Sequence, residues 1–185
     1  MPGIVVDIGT GNGKFVSKLA IRYPDRLIIG IDPNHHNLIH TSLKNPKNSL
    51  YLLSDIENLP KELNGIVNQI FINFPWGSLL RGIINVENQT WNNLKRICRS
   101  GAFIDIILGF NKLSEKNETI RLVLPELSEE YLSGQFSHQL SQQGFKVIDI
   151  REIDSRSLKN YPTSWAKKLA FGKPRKFYYL RIVSL

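Results

Sequence analysis

The chain has 185 residues, of which 42% are hydrophobic, giving one domain (1–185) with room for a substantial core. No apolar run is long enough to cross a membrane, and the single cysteine, Cys98, excludes an internal disulfide and agrees with a reducing, cytoplasmic setting. The formal charge is +8, of which +7 falls within residues 151–185, so the first 150 residues are near neutral and the C-terminal segment points to a polyanionic partner.

Apolar runs predict strands at 3–8, 27–31, 50–53, 67–73, 102–108, 145–151 and 177–183. Helical periodicity predicts helices at 13–23, 34–45, 79–98 and 125–143. Strands alternating with helices give an α/β fold with a mostly parallel, seven-stranded sheet covered on both faces. The first strand starts within a few residues of Met1, which leaves no room for a leader peptide. Cys98 falls in an amphipathic stretch ending at Arg96, Arg99 and Gly101, so it reads as a buried helix residue. In such sheets ligands collect beyond the carboxyl ends of the strands.

The first of these ends carries Asp7-Ile8-Gly9-Thr10-Gly11-Asn12-Gly13, and the second ends at Asp32-Pro33, 19 residues after Gly13. Glycines allow a tight turn and close approach of a ligand, and an acid at the end of the second strand suits ribose hydroxyls. Dinucleotide folds space their glycines as G-x-G-x-x-G to seat a pyrophosphate. The even spacing here, with an acid ahead of it, suits a ligand without phosphate that carries a sulfonium and an amino group. The motif resembles that of the class I S-adenosylmethionine (SAM) methyltransferases. The resemblance implies SAM as cofactor, S-adenosylhomocysteine as product, and a Rossmann-like sheet whose last strand is antiparallel. Asp7, Gly9, Thr10, Gly11, Gly13, Asp32 and Pro33 then belong to the cofactor site.

The loop after the third strand, Ser54-Asp55-Ile56-Glu57-Asn58-Leu59-Pro60, offers Asp55, Ile56 and Glu57 to an adenine or as a turn cap, and the two readings are compatible. After the fourth strand, Asn73-Phe74-Pro75-Trp76-Gly77-Ser78 places two large rings in a proline–glycine turn where a methyl acceptor meets the cofactor. A second aromatic landmark, Thr163-Ser164-Trp165-Ala166-Lys167-Lys168, continues to Lys173 and Arg175 between the last two strands. Two tryptophans on one rim can hold an extruded base between them, and the flanking cations grip phosphates.

Phe74-Pro75-Trp76-Gly77-Ser78-Leu79-Leu80, taken with Ser164-Trp165-Ala166-Lys167-Lys168-Leu169-Ala170-Phe171-Gly172, resembles the aminoglycoside-resistance 16S ribosomal RNA adenine-N1 methyltransferases, the kanamycin-apramycin resistance family. That resemblance runs over nearly the whole chain. It implies that Trp76 and Trp165, with Phe74 and Pro75, hold the target adenine (adenine-1408) of the decoding site in the 30S subunit. It also implies that Asp32 holds the cofactor ribose, that Glu57 faces its adenine, and that Ser78 and Thr163 border its methionine, with Asn73 as the polar residue of the fourth-strand turn. Lys168, Lys173 and Arg175 match basic RNA-contact positions of the family, with Lys167 beside them, in an insertion at about 154–176. Lys168 and Lys173 are lysines where arginine is expected, which weakens bidentate phosphate contacts. Family members carry a β-hairpin ahead of the first motif, where this sequence has Met1 and Pro2. Weaker docking, a shorter piece of a longer chain and a shifted substrate all fit that departure.

The expected protein is a monomer that uses neither metal nor membrane. His36 and His40 have the i, i+4 spacing of two ligands, but no third ligand completes a set. Two alternatives stay open at this level: a transfer-RNA guanine-N7 methyltransferase, which usually has an acid in the fourth-strand loop, and a non-catalytic RNA-binding protein on the same fold.

Overall fold

The computed structural model describes residues 3–39, 45–110, 115–154, 157–158, 161, 163 and 176–185. Its elements are β1 (Ile4–Ile8), α1 (Lys14–Arg22), β2 (Leu27–Asp32), α2 (His35–Ile39), β3 (Ser49–Leu53), a 3-10 turn (Lys61–Leu63), β4 (Val67–Asn73), α3 (Gly77–Ile84), α4 (Asn88–Ile97), β5 (Cys98–Leu108), α5 (Lys116–Arg121), α6 (Glu129–Tyr131), a π-wound turn (Leu132–Phe136), α7 (Ser137–Gln142), β6 (Phe145–Ile153) and β7 (Phe177–Ser184). The seven strands form one sheet in the order β3-β2-β1-β4-β5-β7-β6. β1 through β5 pair in parallel, and β7 lies antiparallel between β5 and β6. The order reverses between β1 and β4, so the crevice that collects ligands opens above those two strands.

Alternation along each strand divides the interior in two. Val6, Ile8, Ile70, Ile72, Ala102, Ile104, Ile106, Leu180 and Ile182 face one way and join α3, α4 and α7 in a single large core. Trp91 sits at its centre, fully buried, with Nε1 donating to the Ile83 carbonyl at 3.2 Å and its ring edge-on to Phe145. On the opposite face Val5 and Ile28 meet Val16 and Ala20 of α1 in a smaller cluster. Asp7, Asp32 and Asp105, the buried aspartates among the described residues, point to this second side.

Where the expected elements differ from the observed ones, the cause is local. The helix expected at 79–98 is two helices, α3 and α4, broken where Val86 takes a left-handed φ of 51°. Ile83, Ile84, Val86, Trp91 and Leu94 all enter the same core, so the apolar spacing runs through the break without marking it. The helical stretch expected from 125 begins at 129, because the Ser128 hydroxyl caps it by accepting from the Tyr131 amide at 3.1 Å. α5 buries only Thr119 and therefore has no apolar stripe to announce it. Cys98 is buried as expected but opens β5, and burial pushes its thiol up to about 12, which leaves it an inert core residue.

Candidate active site

Three left-handed glycines form the turn at the crevice, and Gly9 and Gly11 line its floor. Gly9, Gly11 and Gly13 have φ of 76°, 55° and 65°, a conformation in which a side chain is strained. The turn is tied to β2, with the Gly9 and Thr10 amides donating to the Ile31 carbonyl at 2.8 and 3.0 Å. A side chain at Gly11 would point into open space, so here the backbone itself is presented to a ligand. Gly13 caps α1 and lies outside the cleft wall.

Asp32 ends β2 beside that turn and is 6% exposed. One of its oxygens accepts from the Gly11 amide at 2.7 Å, and the other accepts from the Asn34 amide at 2.9 Å and the Asn37 side chain at 3.1 Å. The carboxylate is thereby fixed in orientation before any ligand arrives. Asn34 and Asn37 are partners that sequence reasoning missed, although an asparagine two residues beyond a strand-end acid is an ordinary turn signal.

Asp7 is more deeply buried. Removal from water pushes its carboxyl up to about 7, although the neighbouring Thr10 and Asn73 side chains pull the other way. The Asn73 side-chain amide donates to Asp7 Oδ1 at 3.1 Å, and its own Oδ1 accepts from the Tyr161 hydroxyl at 2.6 Å. Phe74 holds a left-handed φ of 53°, donates its amide to the Ile107 carbonyl at 2.9 Å, and packs edge-on against Tyr161 and Phe177. The two rings of this turn therefore part company. Phe74 is pinned in a small apolar cluster with Leu158 and Ile153, while Trp76 is 49% exposed at the cleft rim, at the N-cap of α3.

The β3 loop satisfies its cap reading, with Asp55 Oδ1 accepting from the Glu57 and Asn58 amides and from the Asn58 side chain at 2.8–3.0 Å. Asp55 and Ile56 also line the cleft, whereas Glu57 is exposed and does not. Together Asp7, Gly9, Thr10, Gly11, Asp32, Pro33, Asp55, Ile56, Asn73, Phe74, Pro75, Trp76, Ser78 and Thr163 surround one cleft of about 430 Å³, a size usual for a small-molecule site. Trp165, Lys167, Lys168, Lys173 and Arg175 lie outside the described residues. So does most of the expected 154–176 insertion, which coincides with the β6–β7 connection.

The donor set fits SAM. It offers three carboxylates, Asp7, Asp32 and Asp55, for a ligand with a sulfonium, an ammonium and two ribose hydroxyls, and a glycine turn that exposes backbone rather than anchoring a phosphate. This cleft and the antiparallel β7 define a class I SAM-dependent methyltransferase. A family model described as NpmA, 16S rRNA (adenine(1408)-N(1))-methyltransferase, matches residues 1–184, and the chain belongs to that family. A protein of that name from Escherichia coli is 35% identical over 182 residues, covering 94% of this chain and 83% of its own length. The crystal structure of 16S rRNA methyltransferase KamB superposes with a TM-score of 0.87 at 27% identity, over 99% of this chain and 88% of that one. A mutant of the Catenulisporales acidiphilia 16S rRNA (adenine(1408)-N(1))-methyltransferase, solved with cosubstrate SAM, superposes at 0.86 with 28% identity, over 99% of this chain and 86% of that one.

Proposed function

We propose that the chain methylates N1 of adenine-1408 in 16S rRNA of the assembled 30S subunit, acting as a cytoplasmic monomer without a metal, and so confers resistance to kanamycin and apramycin. The observation that carries this reading is the position of Trp76. It is a half-exposed indole on the same cleft as Asp32 and the glycine turn, where a flipped base meets the cofactor.

Bound SAM supplies an electrophilic methyl group. Adenine N1 is unprotonated near neutral pH and attacks with its lone pair, so the protein needs to furnish no general base. Alignment and exclusion of water supply most of the acceleration. Asp32, already fixed by Gly11, Asn34 and Asn37, is assigned to the ribose hydroxyls, and Asp55 and Ile56 to the adenine end. Asp7, Asn73, Ser78 and Thr163 are assigned to the amino-acid end. Trp76 and Trp165 are assigned to the two faces of the target base, and Pro75 stiffens the turn that carries Trp76. Stacking contributes about 1–3 kcal/mol per base toward extrusion. The product base is cationic, and an indole face stabilises that developing charge by roughly 0.5–2 kcal/mol. Lys167, Lys168, Lys173 and Arg175 are assigned to phosphates, which fixes register without reading sequence.

Primer extension tests the reading, because N1 methylation blocks the Watson–Crick edge. 30S subunits incubated with the protein and SAM should give a stop beside adenine-1408, and cells making the protein should grow on kanamycin and apramycin. An uninterrupted read through that position overturns it.

A further inference from the structure

Tyr161 is absent from every motif of the sequence, yet among the described residues between β6 and β7 it makes contacts that reach a cleft residue. Its amide donates to the Leu158 carbonyl at 3.0 Å, and its carbonyl accepts from the Thr163 amide at 2.9 Å. Its ring stacks on Phe15 of α1 with centroids 5.8 Å apart and meets Phe74 edge-on at 6.2 Å. Its hydroxyl reaches Asn73, a residue 88 positions away in the chain.

The direction of these bonds is fixed by chemistry once Asp7 is ionised, the form that a cationic ligand favours. The ionised carboxylate can only accept, so the Asn73 side chain must turn its NH2 group toward Asp7. Its oxygen then faces Tyr161, which must donate. Burial pushes the Tyr161 phenol upward, so the donor proton stays in place throughout the working range. Without the hydroxyl, a part-buried amide oxygen loses this partner, and a flip of Asn73 that would set oxygen against oxygen at Asp7 is opposed by one bond fewer.

We propose that Tyr161 is a positioning residue for the cofactor: through the side-chain amide of Asn73 it orients the Asp7 carboxylate toward the amino-acid end of SAM. This rests on the reading of the cleft as a SAM site. The relay makes a demand that simple packing does not. Loss of the hydroxyl must harm ligands that have the amino-acid end and spare those that lack it.

Calorimetric titration of the full chain with S-adenosylhomocysteine and with 5′-methylthioadenosine, which lacks the amino and carboxylate groups, makes the separation. Tyr161→Phe keeps the ring and is expected to weaken S-adenosylhomocysteine about tenfold while leaving methylthioadenosine within about twofold of wild type. Leu158→Ala loosens the same segment but keeps the hydroxyl. It is expected to lower the melting temperature and to weaken both ligands alike. Equal losses for the two ligands in Tyr161→Phe, no loss for S-adenosylhomocysteine, or the selective loss in Leu158→Ala would each overturn the proposal. A wild-type chain that binds neither ligand would instead sink the SAM reading on which it rests.

Discussion

The two faces of the sheet are built on different principles. The face under α3, α4 and α7 is continuous hydrocarbon, from Val6 and Ile8 across to Leu180 and Ile182, with Trp91 and Phe136 at no measurable exposure. The face under α1 carries a smaller apolar cluster and holds three aspartates in separate sets of hydrogen bonds: Asp7 with Asn73, which also bonds Tyr161, Asp32 with Asn37 and the Gly11 and Asn34 amides, and Asp105 with Gln69, Tyr179 and Arg181. Burying a carboxylate works against folding unless every lone pair is served. The sheet thus gathers its stabilising burial on one side, and that surplus lets the other side hold poised polar groups.

The largest expected effect separates two residues of one type. Trp91→Ala removes a fully buried indole, its hydrogen bond to Ile83 and its ring contacts with Phe136 and Phe145. A loss of about 3–5 kcal/mol follows, a fall of the order of 10 °C in melting temperature for a chain of this size. Trp76→Ala should leave the melting temperature within about 3 °C, because the side chain is half-exposed, while lowering methylation of 30S subunits at least 100-fold. Thermal melts and single-turnover methylation on both variants check the pair. Equal destabilisation by the two would erase the contrast between a face built for packing and a rim built for a base.

Next in size is the burden of Asp7. Its folded value of about 7 lies above 3.8, so the native state holds the proton more tightly than the unfolded chain does. Below 3.8 both states are protonated and nothing is lost. As pH rises from there to 7 the unfolded state ionises first and stability drains away, by at most about 4 kcal/mol, and above 7 the deficit is constant. Asp7→Asn should therefore melt close to wild type at pH 4 and several degrees above it at pH 8. A cationic ligand favours the ionised carboxylate, so SAM affinity of the wild type should fall as pH drops below 7, and this dependence should vanish in Asp7→Asn. A melting difference that stays flat with pH would mean that Asp7 is not a strained group.

These contrasts also mark what the sequence could disclose. The glycine turn, Asp32 and the seventh strand were legible because each is a local pattern, readable within one strand–turn–helix unit and dictated by backbone conformation. Trp76 was legible for the same reason, since proline and glycine flank it within a short turn. Asn73 bonds Asp7 across 66 residues and Tyr161 across 88, and no local spacing records a partner that distant. The same limit explains Phe74, which shares a turn with Trp76 but is claimed by Phe177 and Tyr161 from the other end of the chain. Glu57 and Asp55 stood side by side as candidates, and only the fold of the loop assigned one to the cleft and the other to solvent.

The smallest expected effect lies where the polar face opens to water, and it compares two arginines on the same side of the β6–β7 ladder. Arg181 donates through Nε to Asp105 Oδ1 at 2.7 Å, and that carboxylate is 3% exposed. Arg151 pairs with the part-exposed Asp149 at 2.8 Å and lies over the Tyr179 ring at 4.7 Å. Removal of Arg181 leaves a buried carboxylate served, among the described residues, by Gln69 and Tyr179, so Arg181→Ala should lower stability by about 1–3 kcal/mol. Arg151→Ala frees an acid that water can reach, which should cost less than about 1 kcal/mol and less again in high salt. Urea unfolding of both variants at low and high salt measures the difference. If Arg151→Ala proved the more damaging, the stability of this face would reside in its exposed rim and not in the buried aspartate, and the division of labour between the two faces would have to be drawn elsewhere.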